Sequence, residues 1–474
     1  MVGPDYKRPD APASVGFKEL DGWKPTRPAD DMDKGAWWSV YHDPELDRLE
    51  RMVEISNQTV KQYEAQYRNA VALVGEARAS LFPTVGLAPG VSRSGNGRSS
   101  SSGFASGGES VGSSSSRSGT VYSLSGTVSW DLDVWGRVRR QVESNVAGAQ
   151  VSAADLANAK LSAQATLATD YFDLRAEDAL ERLLRETVAA YRRAMQIAEN
   201  QYHAGTASSA DVVTAQAQLQ STEAQLAGVG VQRQQYEHAI AMLTGHAPSE
   251  LTIPPAPLAN DVPVVPAGLP SALLERRPDV AAAERQMQEE NALIGVQMAA
   301  YYPDISLTAL GEYAGNPLGQ LFNLSNQVWS LGASGTETLF SGGLRPAAVA
   351  AARATYDQYV AVYRQTVLTA FQQVEDALSN LRILEAQAKA EAIAVDATRR
   401  AVDVEFNLYR AGTVAYTSVI TEQTLLLSDQ QAALSIQQSR LVASVALIEA
   451  LGGGWSAALL PAPETVKAAN PVLP

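Results

Sequence analysis

The stretch YDQYVAVYRQTVLTAFQQVEDALSNL, residues 356–381, decides the architecture. Its apolar residues Tyr356, Val360, Tyr363, Val367, Phe371, Val374, Leu378 and Leu381 advance by three or four positions at a time, the narrow seam of a coiled coil. Working outward, no glycine or proline interrupts the 65 residues between Pro346 and Gly412. An earlier stretch, 56 residues between Gly148 and Gly205, is equally free of helix breakers. Leu184, Val188, Tyr191, Met195, Ala198 and Tyr202 carry the same seam there. The sequence thus predicts two very long helices, from Arg137 to Tyr202 and from Pro346 to Tyr409. At about 1.5 Å per residue the second would extend roughly 100 Å, far too long for a compact globule. Periodicity alone is equally compatible with a structural coiled coil.

Each rod ends in the same five-residue pattern, Tyr202-His203-Ala204-Gly205-Thr206 and Tyr409-Arg410-Ala411-Gly412-Thr413. Gly205 and Gly412 suit the left-handed position that closes a helix, and antiparallel returns follow over about 209–243 and 416–451. Asp211 lies near the start of its helix, where a carboxylate complements the helix dipole.

Beyond Pro83 and Pro303 the period changes from helical to alternating. Val85, Leu87 and Val91 face Val128, Trp130, Leu132 and Val134 across a Ser/Gly-rich segment, Ser92 to Thr120, expected to be a flexible loop. Ile305, Leu307 and Ala309 are followed by Trp329, Leu331, Ala333 and Gly335 in a second hairpin. Corresponding landmarks stand at a nearly constant offset: 206 residues from Gly136 to Gly342, 207 from Gly205 to Gly412 and 208 from Leu243 to Leu451. One unit of helix, hairpin, long helix and return helix therefore occurs twice.

This organisation divides the chain into an extended Pro-rich arm (1–36), a helical segment (37–82), a hairpin (83–136), a long helical hairpin (137–245) and a Pro-rich linker (246–270). The second unit gives a helical segment (271–302), a hairpin (303–342), a long helical hairpin (343–452) and a C-terminal tail (453–474). In the first helical segment, Trp37, Trp38 and Tyr41 form an aromatic anchor and Asp43-Pro44 opens a helix expected to continue to about Leu81.

Composition limits the function. A net charge of −14 among 474 residues opposes nucleic acid as a partner. With no cysteine there are neither disulfides nor thiolate metal sites, and the four histidines, His42, His203, His238 and His246, have no metal-ligand spacing. No nucleophile elbow or phosphate loop is present, so neither an enzyme nor a cofactor is expected. The sequence begins with no export signal and has no apolar run of about 18 residues. A membrane would be met by strands or through a lipid. Strands of roughly 8–12 residues are long enough to cross a bilayer, but four cannot close without open edges. Additional copies must complete the barrel if these strands are in lipid; a soluble coiled-coil scaffold remains the alternative.

Five motifs, in order along nearly the whole length, carry a resemblance: Val2-Gly-Pro-Asp-Tyr-Lys-Arg-Pro9, Trp37-Trp38 with Asp43-Pro44-Glu45-Leu46, Leu274-Glu-Arg-Arg-Pro-Asp-Val280, Tyr302-Pro303-Asp304-Ile305 and Tyr409-Arg-Ala-Gly-Thr413. The chain resembles the TolC-like outer-membrane factors of Gram-negative bacteria, in particular the lipoprotein branch serving tripartite multidrug pumps. The resemblance implies a mixed α+β membrane protein: a homotrimer with a twelve-stranded β-barrel, four strands per protomer, continued by a helical coiled-coil tunnel into the periplasm. It implies passive export, a periplasmic adaptor at the tunnel tip and an inner-membrane RND-type transporter beyond it. A lipid-bearing cysteine is expected immediately before Val2; Met1 stands there, so this chain offers no lipid-attachment residue, although the native form is expected to be anchored.

The resemblance also nominates the tip residues. Tyr202, Asp211, Tyr409, Arg410, Tyr416 and Glu422 are the expected gate, with Arg410 and the tyrosine hydroxyls tied to a carboxylate of a neighbouring helix pair. Gly205, Thr206, Gly412 and Thr413 are the expected adaptor contacts. Without the resemblance, these read as solvated charges and seam residues. Some members of the family carry an aspartate ring in the returning helix; the repeat puts Ser418 opposite Asp211, with Thr421 following, so no such ring is expected at those two positions. At the strand-to-helix junction, Asp131 and Asp133 stand near Arg137, Arg139 and Arg140 as possible ion-pair partners. Trp130, Trp135, Trp329 and Phe340 are candidates for an aromatic girdle or for the core.

Overall fold

The structure is a computed structural model describing residues 1–10, 18, 36–95, 118–263 and 276–469. Its spine is a pair of 67-residue helices, α3 (Arg137–His203) and α6 (Leu344–Arg410). Each turns back into a 35-residue helix, α4 (Ser209–Leu243) and α7 (Tyr416–Ala450) respectively. Shorter helices α1 (Pro44–Ser56), α2 (Gln58–Ala79), α5 (Pro278–Ala299) and α8 (Pro463–Ala468) pack around the upper spine. Helix α5 lies between α3 and α6, and α7 bridges back to α3. Among the described residues, no helix is long and apolar enough to cross a membrane.

The four strands β1 (Thr84–Gly95), β2 (Ser118–Leu132), β3 (Asp304–Gly315) and β4 (Gln327–Thr336) form one antiparallel sheet in the order β1-β2-β3-β4. The ladder reaches further than alternation alone suggested. Ser92–Gly95 and Ser118–Thr120, expected in the loop, are paired strand residues because their backbones can bond whatever their side chains. Positions 96–117 of that loop lie outside the described residues.

Register sorts the sheet into two chemistries. Val85, Leu87, Val128, Trp130, Leu307, Ala309 and Leu331 share one face, whereas Gly86, Thr127, Ser129, Ser306, Thr308 and Ser334 share the other. Hydroxyls pair across the polar face, Thr84 Oγ1 with Ser129 Oγ at 2.7 Å and Ser306 Oγ with Ser334 Oγ at 2.8 Å. Trp130 and Trp329 stand on the apolar face. Trp135 is used differently: its ring stacks on Tyr302 at 4.7 Å and its Nε1 donates to Pro303 O, bracing the start of β3. Val134, expected to continue β2, lies in the turn after it, with its N–H donating to Leu132 O.

The helix predicted to run from Asp43 to Leu81 is instead two helices. Asn57 takes an extended backbone, its Oδ1 accepts from Val60 N–H as a cap, and its Nδ2 donates to Leu243 O at 2.7 Å. Asp43 caps α1 in a similar way, accepting from the N–H groups of Glu45 and Leu46. The principal core lies where α1 and the Trp37–Tyr41 turn meet α3, α6 and α7, and it contains Trp37, Leu49, Leu167, Phe172, Val367 and Leu441.

One acid is buried within this core. Glu50 is 0% exposed and neither of its carboxylate oxygens has a partner. Contacts of Glu54 with Lys160 and of Asp43 with Tyr171 set α1 antiparallel to α3, which brings Glu50 to the level of Gln164. The Gln164 Nε2 and the Trp37 Nε1 are also buried without partners. Desolvation raises the Glu50 pKa well above the usual carboxyl range, so the folded state favours the neutral acid. For an acid raised in this way, the stabilising contribution is full below its unfolded pKa and is lost as pH rises through the folded value. Glu50→Met is expected to stabilise the protein by about 1–3 kcal/mol at pH 8 and by less at pH 5, as read from unfolding midpoints at the two pH values. An equal effect at both would contradict the protonated-acid assignment.

Candidate functional site: the tip of the helical hairpins

Both hairpin tips are built alike. Gly205 and Gly412 have φ of +76° and +74°, a conformation that disfavours side chains with a Cβ. Thr206 then closes the end of α3 with two bonds, N–H and Oγ1 both donating to Gln201 O; Thr413 does the same to Leu408 O. The residues nominated as adaptor contacts therefore have a local structural task. Asp211 and Ser208 form a reciprocal capping box at the start of α4.

Behind the turns, the two hairpins of the chain are packed together. Ala194, Ala198 and Ala215 of the first meet Tyr409, Tyr416 and Val419 of the second. The Tyr409 and Tyr416 rings lie 5.0 Å apart and both are buried. Burial, followed by the neighbouring Tyr409 and Tyr191, pushes the Tyr416 phenol up to about 12. The Tyr409 phenol is also raised, by burial and then by Asp211, so this carboxylate is close enough to be felt. Asp211, Tyr409 and Tyr416 thus belong to one cluster.

The other nominated residues lie around it. Tyr202 is 46% exposed beside His203, and Arg410 stacks over the Phe406 ring at 5.1 Å. Among the described residues, neither Arg410 nor Glu422 forms an ion pair within the chain. The bonds that do join the hairpins come from residues not nominated for the gate. Tyr191 Oη donates to Gln423 O at 3.2 Å and Gln218 Nε2 donates to Thr424 Oγ1 at 3.2 Å. Tyr191 was visible in the sequence only as a seam residue; a phenol in an otherwise aliphatic seam is the available signal that a hydroxyl partner is needed. The Tyr409 hydroxyl and the Gln423 Oε1 are buried here without partners.

Higher on α3, Arg175 and Asp178 face the linker around residues 254–256, Tyr171 lies under the Arg175 guanidinium and donates to Asp43, and Asp170, Asp173 and Glu177 lie around the helix toward α4 and α7. Burial and the adjacent Asp173 push the Asp170 carboxyl up to about 6. At the junction with the sheet, Asp133 accepts from the backbone N–H groups of Val138 and Arg139 and from the Arg139 side chain, anchoring the start of α3.

A sheet with one apolar and one polar face, continued by long paired rods that close in tight turns, is the architecture of a membrane channel with a helical extension. The chain belongs to the outer membrane efflux protein family, which matches residues 51–246 and 269–453. It is 30% identical over 468 residues to the antibiotic efflux pump outer membrane protein ArpC of Pseudomonas putida, covering 95% of this chain and 92% of the relative. It is 28% identical over 450 residues to the pyoverdine export outer membrane protein OpmQ of Pseudomonas aeruginosa, covering 94% and 93%. Among solved structures, the outer-membrane channel OprN superposes with a TM-score of 0.87 at 28% identity, covering 96% of this chain and 99% of that one. The protein is an outer-membrane efflux channel with a periplasmic tunnel, and its role is transport rather than catalysis. The soluble scaffold left open by periodicity gives way to this reading.

Proposed function

We propose that three copies form the working channel, a twelve-stranded barrel above a tunnel of paired helices, gated at the hairpin tips. One observation carries the assembly: among the described residues, β1 and β4 each end the sheet with an unpaired edge, and the apolar face is continuous from one edge to the other. Lipid does not tolerate such edges, so each must pair with the next copy. The equal helix lengths, 67 and 67 followed by 35 and 35, support an internal duplication that would make the tunnel wall nearly regular.

The tips open as an iris by releasing the bonds that hold one hairpin to the other. Tyr191 and Gln218 hold the hairpins within a protomer; Arg410 and Glu422, which form no ion pair among the described residues, would bind carboxylates or cations of the next copy. A periplasmic adaptor docks at the turns around Gly205, Thr206, Gly412 and Thr413, and an RND-type inner-membrane transporter supplies the cargo. Acids facing α4 and α7 would favour cationic over anionic solutes. Amino-terminal lipidation would add a second hold on the outer membrane. The linker, the Trp37 segment and the C-terminal tail form a belt around the tunnel.

Tyr191→Phe combined with Gln218→Ala removes two hydrogen bonds per protomer, each worth about 0.5–1.5 kcal/mol. The open probability in a planar bilayer is expected to rise at least about tenfold. Arg410→Ala with Asp211→Asn is expected to raise it as well, through contacts between copies. If neither pair changes conductance or its fluctuations, the tip is not the gate.

A further inference from the structure

The long helices join one end of the sheet: α5 leads into β3 at Asp304, and β4 leads away toward α6 from Thr336. The β3–β4 connection is therefore at the opposite end, away from the periplasm. Residues 316–326 of this connection carry no charged side chain, and Leu318, Phe322 and Leu324 are 58%, 69% and 83% exposed. The β1–β2 connection has the opposite character, with Arg98, Glu109 and Arg117 among serines and glycines in its sequence.

Two contacts fix the side of the sheet on which the connection lies. Tyr313 and Gly315 alternate along β3 in step with Leu307 and Ala309, so they share the apolar face. The edge of one ring meets the other where Phe322 packs on Tyr313, with centroids 5.7 Å apart. A Cβ at Gly315 would come within 2.7 Å of Asn326 Nδ2 and 3.4 Å of the Leu321 Cα. The connection thus folds back over the apolar face, and the missing side chain at Gly315 gives it room. Its backbone is largely paired from within. The N–H groups of Gln320, Leu321, Asn323 and Asn326 donate to Pro317 O, Leu318 O, Gln320 O and Asn323 O, and Asn326 Nδ2 also donates to Gln320 O. Such pairing lowers the cost of holding this backbone against lipid.

We propose that the β3–β4 connection is a lipid-binding anchor, with Leu318, Phe322 and Leu324 set among the upper acyl chains of the outer leaflet. The height fits. At about 3.3 Å per residue and a tilt of about 40°, roughly 20 Å along the membrane normal separate Ile305, the first residue of β3 on the apolar face, from Tyr313. An apolar band about 25 Å tall ends just above Tyr313, at the level where aromatic side chains line the boundary with the headgroups. A neighbouring copy would pair along β4, whereas Phe322 lies over β3, one strand in from that edge. Held there, the connection is on the far side of the sheet from the polar face and clear of the conducting path. The proposal rests on the strands crossing the membrane, but not on the gate.

Because the chain has no cysteine, a single introduced one can carry a nitroxide spin label at a chosen site. The full chain, labelled at Leu324→Cys, is reconstituted in vesicles of phosphatidylethanolamine and phosphatidylglycerol. Collisions of the label with oxygen, which concentrates among acyl chains, are compared with its collisions with a water-soluble nickel chelate. Leu331→Cys on the apolar face and Ser330→Cys on the polar face are the references. Leu324→Cys is expected to behave as Leu331→Cys does, broadened by oxygen and without the nickel broadening seen at Ser330→Cys. Leu318→Cys should read the same, and the mass of each labelled assembly in detergent reports whether it has folded. Nickel broadening at Leu324→Cys and Leu318→Cys, with Leu331→Cys protected, would overturn the proposal and leave the membrane reading standing. Protection of both from oxygen as well as nickel would also overturn it and indicate cover by a neighbouring copy. Nickel broadening at Leu331→Cys would remove the strands from lipid, and the anchor with them.

Discussion

Leu331→Arg is expected to prevent the channel from assembling. Leu331 sits in β4, 76% exposed in the isolated chain, and its face is shared with Ala309 and Val128. Arginine on the lipid face of a barrel strand costs about 2–4 kcal/mol near the middle of the bilayer. The cost recurs in every copy, so a trimer would lose roughly 6–12 kcal/mol. Ser330 is the adjacent residue and points to the opposite, polar face. Ser330→Arg should leave assembly intact and alter ion conduction instead. Native mass in detergent separates the two: the natural protein and Ser330→Arg at three times 50.4 kDa, Leu331→Arg at the mass of one chain or aggregated. Equal masses for the two variants would show that the faces have been assigned the wrong way round or that the sheet is not in lipid.

The second large effect is expected at Asp178. Its carboxylate is buried, and it receives Arg175 Nη1 at 2.9 Å, Arg233 Nε at 2.7 Å and the Ala256 N–H at 3.1 Å. The two guanidiniums in turn donate to Pro254 O and Ile253 O, both at 2.7 Å, and Glu237 accepts from the Ile253 N–H. A single acid thus ties α3, α4 and the linker together. Asp178→Ala would leave Arg175, at 2% side-chain exposure, without its counter-charge. Breaking a buried pair from one side costs about 3–5 kcal/mol. The unfolding midpoint should fall accordingly, and limited proteolysis should cut the segment around residues 251–263 much faster. A loss below about 1 kcal/mol would mean that water reaches the cluster and screens it.

Much of the architecture was legible because it rests on period. Heptad spacing marked α3 and α6, the Gly-Thr pairs marked their ends, and alternation at Val128, Trp130, Ile305 and Leu307 marked strands whose apolar residues proved to share one face. What escaped depends on partners distant in sequence. Nothing local to Asn57 reveals a break, since the bond that helps fix it is to Leu243 O, 186 residues away. Glu50 reads as an ordinary surface acid among Asp47, Arg48 and Arg51 until α1 is laid on α3. At the tip, the motif located the cluster of Asp211, Tyr409 and Tyr416, but the bonds from Tyr191 and Gln218 depend on how two helical hairpins are set against each other, and no one-dimensional pattern encodes that offset.

The amino-terminal residues add a constraint on the order of folding. Val2 N–H donates to Trp135 O, Arg140 donates to Val2 O, and Asn291 Nδ2 donates to Pro4 O. Gly3 lies so close to Gly295 that a Cβ on it would come within 2.5 Å of the Gly295 Cα. Arg8 then reaches Tyr363 Oη at 2.9 Å, across a sequence separation of 355 residues. These residues therefore find their places only once Asn291 and Tyr363, in the second half of the chain, are in position. Docking of residues 2–8 would act as a latch on completed folding, and the same residues left undocked would mark a molecule whose second half had not folded.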